Sequence, residues 1–332
     1  MGHYTRTRAL LGALTPSSFT VFRLNTGGKR RDVSLESSES SWFQSVSDEV
    51  SLKDLLQESR PDVLILDAAD LDSDLMVSTA RPSWTVLLSP LLRTPESPTI
   101  HIHRGDHLPA PWKLQPGNVY ALGLDYAIVS KRVLRHRKQV ANPIIARTTS
   151  RQSRIRIGLA AGSSPSVDAL YNFGLLWKSA ELRGEQPQAL VSGLDHSSLA
   201  QDLDSVGVSL SQTQFAGTND PWHLLKGADI LVTAGGQSLI EASVIGIPFA
   251  AAPALPAQVE VAQRLEDLGA GRILPIPGPD SRRVVNEILD WVCSEVVSPT
   301  ASKAPTPPLD GKGAWRATRL IRKTVLGLAG SR

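Results

Sequence analysis

Residues suited to one kind of chemistry are concentrated in the window Ala228-Asp229-Ile230-Leu231-Val232-Thr233-Ala234-Gly235-Gly236-Gln237-Ser238-Leu239-Ile240-Glu241-Ala242. Its apolar, β-branched run reads as a buried strand that passes through two glycines directly into a helix. Such a turn leaves backbone N–H groups at the positive end of a helix dipole, and glycine has no Cβ to hold an anion away. Gly235, Gly236, Gln237 and Ser238 are therefore expected to cradle a diphosphate. Glu241 follows one turn into the helix, where a carboxylate can accept hydrogen bonds from the two vicinal hydroxyls of a ribose. The same residues also fit a plain strand-to-helix turn, with Glu241 a solvated acid favoured by the dipole.

A second turn of this kind lies in Leu159-Ala160-Ala161-Gly162-Ser163-Ser164-Pro165-Ser166-Val167-Asp168. Gly162 allows close approach, the hydroxyls of Ser163 and Ser164 can bind phosphate or cap a helix, and Pro165 suits a first helical position. A simple N-cap is the competing reading. Neither turn spells GxGxxG or GxxxxGK[ST], which disfavours a nicotinamide dinucleotide and the simplest ATPase. One cysteine, Cys293, and seven histidines without CxxC or HExxH spacing give no zinc site. No metal and no cofactor are expected.

The elements that must position these turns form two α/β halves, expected as two doubly wound Rossmann-type domains facing across a cleft. In the first half, strands are expected at Phe19–Leu24, Asp62–Asp67 and Trp84–Leu88, with a Ser-rich, loop-like Ser34–Ser47 and a helix around Ser51–Ser59. Asp67, Asp70, Asp72 and Asp74 follow a strand end, where ligand sites gather in open sheets, or else are solvated turn residues. After a helix-like Ala127–Lys138 and a polar stretch, the second half runs Arg154–Ala160, Ala189–Ser192, Asp229–Thr233 and Ile247–Ala251 as strands. Helices are expected near Val167–Leu182, Pro221–Lys226, Ser238–Ile245 and Val259–Leu268. The expected domains are 1–150 and 151–332, with the boundary between Gln139 and Arg154. A proline strap over Ser298–Asp310 leads to a closing helix, Lys312 to Leu328, that returns toward the first domain.

A chain of 332 residues, 41% hydrophobic and 20% charged, has the composition of a folded protein of about two domains, which excludes overall disorder. The lone cysteine fits a reducing compartment. The longest uncharged stretch, Ala242–Val259, is broken by Pro248, Pro253 and Pro256, so no membrane helix is expected. The opening residues lack a signal peptide's apolar core, which with the cysteine count points to the cytoplasm. With 35 basic against 32 acidic side chains the net charge is only +3, and nucleic acid is not an expected partner. The basic run Lys131-Arg132-Val133-Leu134-Arg135-His136-Arg137-Lys138 reads as a solvated helix end, or as a peripheral contact with phosphates or an anionic membrane surface.

The stretch from Ala228 to Pro248 resembles the nucleotide-binding region of GT-B-type glycosyltransferases of the family 28 C-terminal-domain kind. The resemblance is closer still to the subgroup of the pseudaminic-acid UDP-sugar hydrolase and the spore-coat polysaccharide glycosyltransferases. Gly2-His3-Tyr4-Thr5-Arg6 is similar to that subgroup's Gly-His-x-x-Arg, and Leu122-Gly123-Leu124-Asp125-Tyr126-Ala127-Ile128-Val129 to its glycine and Tyr-Ala-Leu-Leu segment. Asp310-Gly311-Lys312-Gly313-Ala314-Trp315-Arg316 is similar to its closing Asp-Gly-x-Gly-x-x-Arg. In the subgroup a first strand precedes Gly-His; this sequence opens at the motif, so the expected first domain lacks that strand.

The resemblance implies that Glu241 holds the ribose of UDP, that Gly235, Gly236, Gln237 and Ser238 hold the diphosphate, and that Gln258 lies near the sugar. It makes His3 the candidate catalytic base, an imidazole that titrates near neutrality and can take a proton from an attacking hydroxyl. The implied partner is a UDP-sugar donor, with acceptor and oligomeric state left open. The implied function is a glycosyltransferase of cell-surface glycan or polysaccharide synthesis. A UDP-sugar hydrolase and a non-catalytic nucleotide-sugar-binding protein are the alternatives.

Overall fold

The computed structural model describes residues 6–7, 9–10, 12–14, 21–24, 43–46, 54, 56–58, 60–67, 78, 82–88, 98–108, 114–140, 155–161, 166–193, 195–217, 220–296, 307–325 and 327. The chain makes two compact units: the first runs to Ile128 and resumes at Lys312, and the second spans Val129–Gly311.

In the first unit, β1 (Val21–Leu24) pairs in parallel with β2 (Phe43–Val46). A separate four-stranded parallel sheet is built in sequence order from β3 (Val63–Leu66), β4 (Trp84–Leu87), β5 (Thr99–His103) and β6 (Val119–Leu122). Val86, Ile100, Ile102 and Ala121 bury one face of this sheet together with Leu10 and Leu14. The same core takes in Ala317 and Ile321, so the last helix belongs to this unit.

The second unit opens with α1 (Lys131–Val140), followed by β7 (Arg156–Ala160), α2 (Val167–Leu182), β8 (Gln188–Ser192) and α3 (His196–Ser205). It continues with β9 (Thr213–Phe215), α4 (Trp222–Leu225), β10 (Ile230–Thr233), α5 (Gln237–Ile245), β11 (Phe249–Ala251), α6 (Pro256–Asp267), β12 (Gly271–Ile273) and α7 (Ser281–Trp291). All six strands are parallel, in the order β12-β11-β10-β7-β8-β9. This is the doubly wound arrangement, in which the chain turns back at the junction of β7 and β10 and ligands gather at the carboxyl ends of those strands.

Local chemistry fixes the pieces. The carboxylate of Asp229, 2% exposed, accepts from the Arg156 amide at 2.8 Å and so aligns the starts of β7 and β10. Ser166 caps α2 by accepting from the Ala169 amide at 3.2 Å, and Asp195 caps α3 through the Ser197 and Ser198 amides. Gly246, at φ +93°, ends α5 in the left-handed conformation that favours glycine. After the second unit closes at Gly311, α8 (Gly313–Val325) begins in the first.

The changeover between units lies at Ile128–Val129, ahead of the Gln139–Arg154 window that polar composition suggests, and the expected 1–150 and 151–332 division moves with it. The reason is packing: α1 lies against α5, with Val133 and His136 buried, so the helix that carries the basic run packs into the second unit. A strand, β2, also stands inside the serine-rich Ser34–Ser47 stretch expected as loop. No helix among the described residues is long and apolar enough to cross a membrane.

Candidate nucleotide site

The carboxyl end of β10 passes through Ala234 into Gly235 and Gly236, and α5 starts at Gln237. Gly235 has φ +77°, and a Cβ there would come within 3.2 Å of Pro253 and 3.3 Å of Gln258, so glycine is required both for the turn and for the close approach of the next loop. Among the described residues, nothing lies within 4 Å of a Cβ on Gly236 and no side chain caps α5 there.

Glu241 is not the solvated acid of the simpler reading. It is 8% exposed; its Oε2 accepts from Trp222 Nε1 at 2.7 Å and its Oε1 from Gln237 Nε2 at 3.3 Å. Burial pushes the carboxyl up to about 7, against the two hydrogen bonds that favour the ionised form; the Asp220 carboxylate adds to the upward push. Each oxygen keeps lone-pair capacity for a further donor. Asp220 is in turn paired with His136 of α1, whose Nε2 lies 3.0 and 3.1 Å from the two carboxylate oxygens.

Gln258 sits beside Gly235, and its Oε1 accepts from the amides of Ala254 and Leu255 at 3.0 and 3.2 Å, so its carbonyl is engaged in starting α6. Ser238 is half-buried in the first turn of α5. Gly162, Ser163 and Ser164, expected as the companion turn after β7, lie outside the described residues, as do His3, Asp70, Asp72 and Asp74. The structure thus brings Gly235, Gly236, Gln237, Ser238, Glu241 and Gln258 to one strand end.

Asp67, directly after β3 in the first unit, is 3% exposed and is a clamp rather than an open carboxylate. Arg6 donates to both of its oxygens, through Nε to Oδ2 at 3.1 Å and through a terminal nitrogen to Oδ1, while the Thr7 hydroxyl adds a bond to Oδ2 at 2.9 Å. His101, buried on β5, shares a hydrogen bond with Thr99 at 2.7 Å and stacks on Tyr120 at 4.8 Å. Burial first, and His103 second, bring its pKa down to about 4, so its imidazole is uncharged at neutral pH.

Sequence reasoning missed Trp222. Trp222 stands 19 residues before Glu241, and only the fold joins them. Among the described residues no group of His, Cys, Asp and Glu could hold a metal.

Two parallel-sheet α/β units, the second doubly wound, define a fold of the GT-B type. The structure is similar to the S. aureus MnaA–UDP co-structure, with TM-score 0.58 and 9% identity over 100% of this chain and 96% of that one. It is similar also to a glycosyltransferase from Rickettsia africae ESF-5, with TM-score 0.60 and 11% identity over 99% and 96% of the two chains. By sequence the chain is 33% identical over 110 residues to the spore coat polysaccharide biosynthesis protein SpsG of Bacillus subtilis strain 168, covering 32% of this chain and 31% of that protein. The match thus spans about a third of the curated relative's length. No known protein-family profile matches the chain.

Proposed function

We propose that the chain is a nucleotide-sugar glycosyltransferase of glycan or polysaccharide synthesis that binds a UDP-sugar donor at the carboxyl edge of the second unit. One observation carries the reading: the start of α5 at Gly236, uncapped by any described side chain, at the turning point of a doubly wound sheet, with the buried carboxylate of Glu241 one turn further on. In support, the partial relative is named for polysaccharide biosynthesis, and one structure of similar fold contains UDP.

In this reading the diphosphate rests on amides from Gly235 to Ser238, Glu241 accepts from the ribose hydroxyls, and Gln258 borders the sugar. The helix dipole and amides stabilise the charge that grows on UDP as it leaves. His3 takes the proton from an acceptor hydroxyl as that oxygen attacks the anomeric carbon, inverting it. Water in place of the acceptor would give hydrolysis with the same residues. The test is turnover of a panel of UDP-sugars, followed as UDP released with and without added hydroxyl acceptors. Release that requires an acceptor supports transfer, and release in water alone replaces it with hydrolysis. A chain that neither binds nor turns over any UDP-sugar ends the proposal.

A further inference from the structure

We propose that the exposed side of α8 is a docking face for an anionic lipid surface, with Trp315 entering the headgroup region and Lys312, Arg319, Arg322 and Lys323 meeting lipid phosphates. The inference does not depend on UDP binding, because α8 belongs to the first unit and Gly235 to Glu241 belong to the second.

From Lys312 to Val325 the sequence carries five basic residues and no acidic one, in a chain whose 35 basic and 32 acidic side chains nearly balance. Folding sorts them. Ala317 and Ile321 enter the first unit's core and Gly313 is buried, so that side of the helix is committed. Arg316 is half-buried and donates to the Asp125 carbonyl at 3.1 Å. Lys312, Trp315, Arg319, Arg322 and Lys323 are exposed. At about 3.6 residues per turn these five fall within about a third of the helix circumference, as one stripe.

A solvated helix face ordinarily mixes signs, as α7 does by pairing Arg283 with Glu287 at 2.6 Å, one turn on. The stripe on α8 instead puts Arg319 three residues from Arg322 and four from Lys323, spacings at which like charges repel. The helix dipole favours Arg322 and Lys323 in the last turn but works against Lys312 ahead of the first. Among the described residues no carboxylate pairs with Arg319 or Lys323. An anionic surface laid along the stripe relieves this repulsion.

Trp315 selects the kind of anion. It is 57% exposed, and the guanidinium carbon of Arg319 lies 5.6 Å from its ring centroid. An indole, apolar in body with one N–H, settles at the boundary between lipid headgroups and acyl chains, while neighbouring Lys and Arg draw in anionic headgroups. A nucleic-acid strand would call for successive aromatic side chains to stack its bases, and this stripe holds one. Because the apolar side of α8 is committed to the core, the contact is shallow and electrostatic, not an insertion of the whole helix.

The experiment is co-sedimentation of the full chain with vesicles of phosphatidylcholine alone and of phosphatidylcholine mixed equally with phosphatidylglycerol. Binding to the mixed vesicles only is expected, weakening as salt is raised. Arg319→Gln and Lys323→Gln should each weaken it about fivefold, and Arg319→Lys should keep it. Lys131→Gln and Arg135→Gln, at exposed positions of α1 in the second unit, should leave it unchanged. Fluorescence supplies the second readout: the difference between wild type and Trp315→Phe isolates the Trp315 emission, which should shift to the blue on mixed vesicles. Absence of binding, equal binding to both kinds of vesicle, or an emission that does not shift would each overturn the proposal. So would losses confined to the α1 variants, or capture of a single-stranded oligonucleotide without capture of vesicles. Should a Gln variant fail to fold, the Trp315 emission decides. Failure of UDP to bind, measured without vesicles, would count against the UDP-sugar reading and leave this one standing.

Discussion

The indole Nε1 of Trp222 donates to Glu241 Oε2 at 2.7 Å, both side chains are buried, and the carboxyl they enclose is pushed up to about 7. An acid raised above its usual range binds its proton more tightly in the folded chain than in the unfolded one. Its contribution to stability is therefore fully present below the ordinary glutamate value of 4.5 and is lost as pH rises through about 7. Over that interval the unliganded wild type should lose about 3 kcal/mol. In Glu241→Gln this part of the loss should vanish. Urea denaturation across the pH range checks it, and parallel pH profiles for the two proteins would refute it.

Ligand binding should run the other way. Ribose hydroxyls donate best to an ionised carboxylate, so affinity for a UDP-sugar should improve about tenfold between about pH 6 and pH 8 as Glu241 ionises. A UDP-sugar is the proper probe because its diphosphate is esterified at both ends and does not titrate there. Glu241→Ala removes a charge-assisted bond worth roughly 1.5–3 kcal/mol and should weaken binding about 10- to 100-fold. Calorimetry that finds equal affinity in wild type and Glu241→Ala removes this residue from the site.

Trp222→Phe keeps the buried ring and deletes the donor. The carboxylate then loses its shortest hydrogen bond, which costs about 1.5–3 kcal/mol above pH 7 and moves the pKa further upward. The difference between Trp222→Phe and wild type should shrink in acid, where Glu241 is protonated in both. A pH-independent difference would mean that ring packing, and not the bond to Glu241, is what the indole supplies.

The strands that lead to the candidate site were legible because β7 and β10 are unbroken apolar runs ending at glycine or serine-rich turns. β5 was not, since its sequence Thr-Ile-His-Ile-His looks half-polar; Thr99 and His101 are nevertheless buried, with the Thr99 hydroxyl bonded to His101 Nε2. β9 and β12 have three residues each, too few for a pattern. In α7, buried Val285, Ile288 and Leu289 recur at helical spacing between charged residues, a signal that could have been read. The glycine turn was legible as a strand-to-helix turn because that property is local to the backbone. The Trp222–Glu241 and Arg6–Asp67 pairs join segments 19 and 61 residues apart, and no local pattern carries such information.

The closing Asp-Gly-Lys-Gly segment is explained by close approach. In the second unit Gly311, at φ +72°, leaves a Cβ only 2.3 Å from Leu134 and 2.9 Å from Val244, while the Asp310 carbonyl accepts from Arg137. Two residues later, in the first unit, a Cβ on Gly313 would stand 2.1 Å from the Ala127 carbonyl oxygen. Because that obstacle is backbone, Gly313→Ala should cost about 3 kcal/mol. Gly217→Ala, exposed and with no described atom within 4 Å of its Cβ, is the control expected to change little. Equal melting of the two variants would show that α8 can shift away from Ala127.

The catalytic assignment separates from nucleotide binding by unit. If His3 is the base, His3→Ala should lower turnover about 10²- to 10⁴-fold and leave UDP affinity nearly unchanged, since Gly235 to Glu241 belong to the second unit. Arg6 and Thr7 follow His3 in sequence by three and four residues and are themselves tied to Asp67. Asp67→Asn keeps the shape and removes the charge, so Arg6 is held less firmly and turnover should fall by a smaller factor, again with UDP affinity intact. Steady-state kinetics beside calorimetry reads both effects. Unchanged turnover in His3→Ala would take His3 out of the mechanism, and a loss of UDP affinity in Asp67→Asn would break the division of labour between the units.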